Sequence, residues 1–91
     1  MNIMRKSADW MVIWDDRILE ITDETGPTSA SMLTKHDHIH TSRSTISRRL
    51  NKLADYGLLE RLPNGVYMIT DTGRDYINNN ADANALEPEN N

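Results

Sequence analysis

The sequence predicts a mainly α-helical domain with a small β-hairpin, on the strength of three observations. Apolar residues recur at helical spacing along residues 10–25 and again along 42–56. Two short β-type runs, Leu58–Leu62 and Val66–Thr70, flank the turn sequence Pro63-Asn64-Gly65. The chain has 91 residues, of which 37% are hydrophobic, and this suffices for one small core and not for two.

The first predicted helix has one apolar face. The residues on that face are Trp10, Ile13, Trp14, Ile18 and Ile21. Asp9 could cap this helix, or the chain could enter it near Val12. Gly26-Pro27 should end it, because glycine accepts a left-handed cap and proline cannot continue a helix.

A short second helix is expected to start at a Thr28 or Ser29 cap. Its apolar residues are Ala30, Met32 and Leu33. We expect it to end near His36-Asp37-His38.

The third helix is the most clearly marked element of the sequence. Ser42 is a good N-cap, and Ile46, Leu50 and Leu53 follow at core spacing. Gly57 should close this helix.

The predicted hairpin follows directly, and its turn chemistry is specific. Proline sets φ for the first turn position, asparagine suits the second, and glycine supplies a positive φ. Thr70 or Asp71 then caps a last helix that runs through Tyr76 and Ile77. Residues 1–9 are interpreted as an N-terminal arm, 10–77 as the folded domain and 78–91 as a disordered acidic tail.

The predicted order is therefore helix, helix, helix, strand, strand, helix. Three helices followed at once by a tight hairpin form the winged helix-turn-helix arrangement, in which the hairpin is the wing. The third helix would be the recognition helix, which enters the major groove of DNA.

The charge distribution supports this interpretation, although the net charge of −4 does not. Residues 1–27 carry three Lys/Arg and six Asp/Glu, and residues 63–91 carry one and five. Residues 28–62 instead carry six Lys/Arg and three Asp/Glu, a balance of +3. Positive charge confined to one part of a chain is typical of a domain that presents one face to a polyanion.

The outward face of the third helix carries the candidate DNA contacts. At about 100° per residue, this face lies opposite Ile46 and offers hydroxyls, an amide and cations but no large apolar side chain. The predicted DNA-binding residues of the helix are Ser42, Arg43, Ser44, Thr45, Ser47, Arg48, Asn51 and Lys52. The wing adds Arg61 and the tip residue Asn64, and Asp55 should lie beyond the groove because it repels phosphate.

Several segments resemble archaeal winged-helix regulators, and in particular the haloarchaeal phage phi-H repressor-like family. These segments are SRSTISRRL at 42–50, LADYGLLE at 53–60, WM at 10–11, DDRILE at 15–20, GVY at 65–67 and TDTG at 70–73. The resemblance covers about residues 10–77. It implies a transcriptional regulator, and a repressor in particular, with Ser42, Arg43, Ser44, Ser47 and Arg48 at the DNA.

The histidine cluster at residues 36–40 departs from that resemblance. His36, His38 and His40 with Asp37 could bind Zn²⁺ or Ni²⁺ and make a metal-sensing repressor. We favour a polar turn whose side chains diverge, with Ile39 in the core and imidazoles near phosphate. No metal or other cofactor is predicted.

Other functions receive less support from the sequence. The chain has no cysteine, G-x-S-x-G motif or phosphate-binding loop, so we expect no enzyme. With neither signal peptide nor membrane span apparent, we expect a cytoplasmic protein. The alternative is a protein-interaction winged helix that does not bind DNA, which the acidic flanks and the sparsely charged wing would suit.

The terminal helices predict a homodimer. Residues 10–14 form a continuous apolar run that is too broad for one buried stripe, and the last helix adds Tyr76 and Ile77 at the far end of the domain. Pairing these surfaces about a two-fold axis would place two recognition helices on one side of an inverted repeat.

Overall fold

A computed structural model describes residues 11–78, so Trp10, the arm at 1–9 and the tail beyond Asn78 lie outside the described residues. The described elements are α1 (Ile13–Thr25), β1 (Thr28–Ser29), α2 (Ala30–Thr34), α3 (Arg43–Asp55), β2 (Leu59–Leu62), β3 (Val66–Ile69) and α4 (Asp71–Ile77). This order confirms the predicted winged helix-turn-helix, with β2 and β3 as the wing.

The strand β1 was not predicted, and it makes the wing part of a three-stranded antiparallel sheet. Its order is β1-β3-β2, with Thr28 opposite Tyr67 on one side of β3 and Arg61 opposite Tyr67 on the other. A two-residue strand is too short to show any periodicity. The result is that the wing is hydrogen-bonded to the chain just before α2.

The structure confirms the predicted helix starts. α1 starts after Val12, and Ser29, Ser42 and Thr70 cap α2, α3 and α4 with their side chains. At the wing tip both Asn64 and Gly65 have positive φ, at 68° and 74°, in a short 3-10 turn. Asparagine and glycine accept this conformation most readily, so the turn sequence fixes the hairpin.

The core lies between α1, α3 and the sheet. Its fully buried side chains include Ile18, Leu19, Ile46, Leu50 and Leu53, and Ile39 plugs it from the turn as predicted. Close packing against α4 requires Gly73, because a Cβ there would overlap the backbone carbonyl of Leu58.

The apolar face predicted for α1 was partly wrong. Ile13 is 63% exposed, whereas Asp15, Leu19 and Thr22 are buried with Ile18. The helix is therefore rotated so that residues 15, 18, 19 and 22, spaced i, i+3, i+4 and i+7, face the core. A buried carboxylate within that stripe has a partner in α3, described below.

The prediction that Tyr76 and Ile77 of α4 belong to a dimer surface was also wrong. Tyr76 is fully buried and Ile77 is 8% exposed, so both belong to the core of their own domain. The Tyr76 hydroxyl donates a 2.7 Å hydrogen bond to Asp16 in α1. Packing between these two helices therefore uses the apolar surface that the sequence suggested was free.

Candidate nucleic-acid interface

Helix α3 separates core residues from outward residues as its sequence predicts. Ile46, Leu50 and Leu53 are fully buried, while Arg48 and Asn51 are exposed on the opposite side. The predicted candidates Ser42, Arg43 and Ser44 are exposed at the N-terminal end, and Thr45, Ser47 and Lys52 are half-buried. An exposed polar face of this kind can approach base edges without burying an apolar side chain in the groove.

The N-terminal end of α3 is organised by hydrogen bonds between predicted contact residues. The Ser42 hydroxyl accepts from the Thr45 N–H at 3.1 Å, which caps the helix. The Arg48 guanidinium donates back along the helix to the hydroxyls of Ser44 at 3.0 Å and Thr45 at 3.4 Å. Arg48 therefore lies along the outward face within reach of the first turn.

The next residue, Arg49, has a different environment. Its guanidinium donates to both carboxylate oxygens of the fully buried Asp15, at 2.9 and 2.7 Å. Asp15 also accepts from the Val12 N–H at 2.9 Å, so it joins the start of α1 to the middle of α3. Hydrogen bonding to Asp15 raises the pKa of Arg49, against the opposing effect of burial. This bidentate pair fixes the position of α3 on the core.

The predicted wing contact Arg61 lies against α3 rather than extending from the wing. It donates to the Asn51 side-chain oxygen at 3.2 Å, to the Asn51 backbone carbonyl at 3.2 Å and to Asp55 at 2.6 Å. Its hydrogen bond to the Asp55 carboxylate raises the pKa of Arg61. The structure thus brings together Asn51 and Arg61, which the sequence predicted as separate DNA contacts.

Lys52 and Asn64 complete the predicted set. The Lys52 ammonium lies over the Tyr56 ring, 5.7 Å from its centre, near the end of α3. Asn64 is exposed at the wing tip.

Three of the candidate residues line a groove between α2, α3 and the wing tip. It has a volume of about 280 Å³ and is lined by Ser29, Ser31, Arg43, Ser47, Asn64 and Tyr67, among others. Arg43 and Ser47 come from α3 and Asn64 comes from the wing, while Ser29, Ser31 and Tyr67 were not predicted. Arg43 is its only charged side chain among residues 11–78, and no described carboxylate lines it.

A second groove, of about 840 Å³, is acidic and is lined mainly by α1. Its acidic lining residues are Asp16, Glu20, Asp23 and Glu24, all from α1. Arg17, His36 and His38 face the same groove. Because these carboxylates repel phosphate, the two grooves favour ligands of opposite charge.

The histidine turn differs from the prediction in one respect. The rings of His36 and His38 do not diverge: their centres are 5.3 Å apart in an edge-to-face arrangement, and His36 Nδ1 accepts from the His38 N–H at 3.1 Å. Within residues 11–78, no three His, Cys, Asp or Glu side chains form a group that could hold a metal ion.

Comparison with known families assigns this architecture. The sequence profile of the winged helix-turn-helix phage repressor family matches residues 4–89. The chain belongs to this family. The winged helix described above is therefore that of a phage repressor-like domain, which is a DNA-binding regulator in general character.

A solved structure is similar over nearly the whole chain. The crystal structure of the PhiH1 repressor-like protein from Haloarcula marismortui has 52% sequence identity and a TM-score of 0.90, covering 96% of this chain and 99% of that one. A search of curated proteins gave no significant match. None of the helices within residues 11–78 has the length and apolar character needed to cross a membrane.

Proposed function

We propose that this winged helix binds double-stranded DNA in a sequence-specific manner and regulates transcription as a repressor. In this proposal α3 enters the major groove and the wing tip touches the flanking backbone. The observation that carries it is the groove shared by Arg43, Ser47 and Asn64, which joins the recognition helix to the wing. In this proposal the domain binds DNA and catalyses no reaction, and it acts in the cytoplasm.

The chemistry of the groove supports a phosphate backbone as its occupant. Arg43 supplies a cation, and Ser29, Ser31 and Ser47 supply hydroxyl donors. Beside it, Ser44 and Arg48 face outward on α3. Arginine suits bidentate contact with guanine, so Arg48 is the proposed base-reading residue, while Lys52 contacts phosphate.

Selection from a random pool of duplex DNA tests the proposal. The full chain should enrich a defined motif and bind it at least a thousandfold more tightly than unrelated duplex. Failure to enrich any motif, or equal binding to all duplexes, would contradict sequence-specific recognition. Failure to bind any duplex would favour the protein-interaction alternative. Reporter transcription from a promoter that overlaps the motif would then test repression.

We further propose that the protein binds DNA as a homodimer through the start of α1. Val12 and Ile13 are 45% and 63% exposed there, beside the half-buried Met11 and Trp14. One small domain offers few contacts for a specific site, and a two-fold mate doubles them. The operator should then be an inverted repeat with half-site centres about 34 Å apart.

Light scattering at micromolar concentration tests the dimer. Ile13→Asp should convert a dimer to a monomer, because it buries a charge in the proposed interface. Met32→Asp is the matched control, since Met32 is 56% exposed but lies in α2. A monomeric wild type, or equal effects of the two substitutions, would contradict an interface at the start of α1.

A further inference from the structure

Asn51 lies in the middle of the outward face of α3, where a base-reading residue is expected. Its side chain is nevertheless engaged within the protein. The side-chain oxygen accepts from Arg61 Nε at 3.2 Å and from the Tyr67 hydroxyl at 3.0 Å. The side-chain nitrogen donates to the Ser47 carbonyl at 3.2 Å.

These partners determine which end of the amide faces which neighbour. A guanidinium nitrogen only donates and a backbone carbonyl only accepts, so the oxygen must face Arg61 and the nitrogen must face Ser47. A carbonyl oxygen accepts two hydrogen bonds, and Asn51 receives two. Bidentate recognition of adenine requires this oxygen together with an amide N–H, so the observed arrangement does not offer that pairing.

The same contacts join the recognition helix to the wing. Arg61 in β2 and Tyr67 in β3 are directly opposite each other in the sheet, and both donate to Asn51. Asp55, one turn further along α3, holds Arg61 at 2.6 Å. One asparagine therefore contacts both strands of the wing.

We propose that Asn51 is a positioning residue, which sets the wing at a fixed distance from the major-groove helix and does not read a base. This inference rests on the proposed DNA binding. Its role is to align the wing tip and Arg43 with the phosphate backbone while Arg48 reads base edges. Loss of Asn51 should then weaken binding to every DNA sequence by a similar factor.

Two substitutions distinguish positioning from base reading. Affinities are measured for the selected site and all of its single-base variants. Asn51→Ala should weaken every duplex by about five- to tenfold, the effect expected when the two hydrogen bonds that Asn51 accepts from the wing are lost at a modest net contribution each. Asn51→Asp keeps both acceptor contacts, so its pattern of base preference should match that of the wild type even if its added charge weakens all binding. A base-reading Asn51 would instead lose discrimination at one position in the alanine variant, and the aspartate variant would shift preference there from adenine towards cytosine. Either result would overturn the proposal.

Hydrogen exchange of the wing amides gives a readout that needs no DNA. Asn51→Ala should speed exchange across β2 and β3 by about tenfold, and Tyr67→Phe should have a smaller effect in the same direction. Asn51→Asp keeps both acceptor contacts to the wing and loses only the donation to Ser47 within α3, so it should restore most of the wild-type protection. Unchanged exchange in Asn51→Ala would overturn the positioning role. Alanine favours the helix, so α3 should stay folded in this variant. If the wild type binds no duplex, the DNA proposal fails, and the exchange result still decides whether Asn51 holds the wing.

Discussion

Arg48 and Arg49 are consecutive residues of α3, and they have different environments. Arg48 lies exposed on the side formed by α3 and the wing tip, the α3–wing face. Arg49 points towards α1 and pairs with the buried Asp15. Arginine is thus proposed to read DNA at position 48 and has a structural role at position 49, because a helix turns by about 100° per residue.

The two grooves described above differ in charge. On the α3–wing face, Arg43 is accompanied by hydroxyls and amides. On the α1 face, four carboxylates line the groove. A net charge of −4 is therefore compatible with DNA binding, because four of the five acidic residues of α1 line the other groove and the fifth, Asp15, is buried.

The largest expected effect separates the two arginines by stability. Arg49→Met leaves the Asp15 carboxylate buried without its cation, and it should lower the free energy of unfolding by about 3–5 kcal/mol in urea denaturation. Arg48→Met is the matched control, with a change within about 0.5 kcal/mol.

A double variant checks the cause of this loss. Asp15→Leu combined with Arg49→Met removes both charges, and it should recover much of the stability lost in Arg49→Met. Equal stability losses in Arg48→Met and Arg49→Met would contradict the division between the two residues.

Arg48, whose loss should hardly change stability, should have the larger effect on DNA specificity. Arg48→Ala should lose about 1–3 kcal/mol of discrimination at a single base position of the selected site, whereas Lys52→Ala should weaken all duplexes alike. Competition binding against single-base variants measures both. Unchanged base preference in Arg48→Ala would mean that the reading face of α3 is assigned incorrectly.

A smaller effect is expected in the salt dependence of DNA affinity, which compares the α3–wing face with the groove along α1. Arg43→Ala should reduce the slope of log affinity against log salt concentration by about 0.9, the value for one phosphate contact. Arg17→Ala removes the same charge from the α1 face, where Arg17 lies 5.7 Å from the Trp14 ring centre, and should leave the slope unchanged. Equal slopes for the two variants would show that binding responds only to net charge.

The smallest expected effect concerns the histidines on the α1 face. Zn²⁺ added to metal-free protein should bind without defined stoichiometry and leave DNA affinity unchanged. One tightly bound equivalent, lost on His36→Ala and His38→Ala, would contradict this expectation and favour metal sensing.

Local sequence signals predicted most of the fold. Ser42, the core spacing of α3 and Pro63-Asn64-Gly65 determine their elements through short-range chemistry, and the structure confirms them. The rotation of α1 could also have been predicted, because Asp15, Ile18, Leu19 and Thr22 form a helical stripe. A carboxylate in that stripe needs a cation as its partner, and Arg49, which lies near Ile46 on the core side of α3, could have been identified as that partner.

Contacts between distant segments were harder to predict. The pairing of β1 with β3 involves only Thr28 and Ser29, which give no periodic signal. The fixation of Arg61 by Asn51 and Asp55 depends on where the wing folds back. The sequence identified these residues as polar and outward, but their partners come from tertiary structure.

Amide chemical-shift mapping by NMR, with the selected duplex added to the full chain, locates the surface that binds DNA. The largest shifts should fall on residues 42–52, on Asn64 and Gly65 at the wing tip, and on Ser29 and Ser31. Residues 16–24 of α1, which follow the proposed dimer surface, should shift little. Shifts concentrated on the acidic groove of α1, with α3 and the wing tip unchanged, would contradict this prediction.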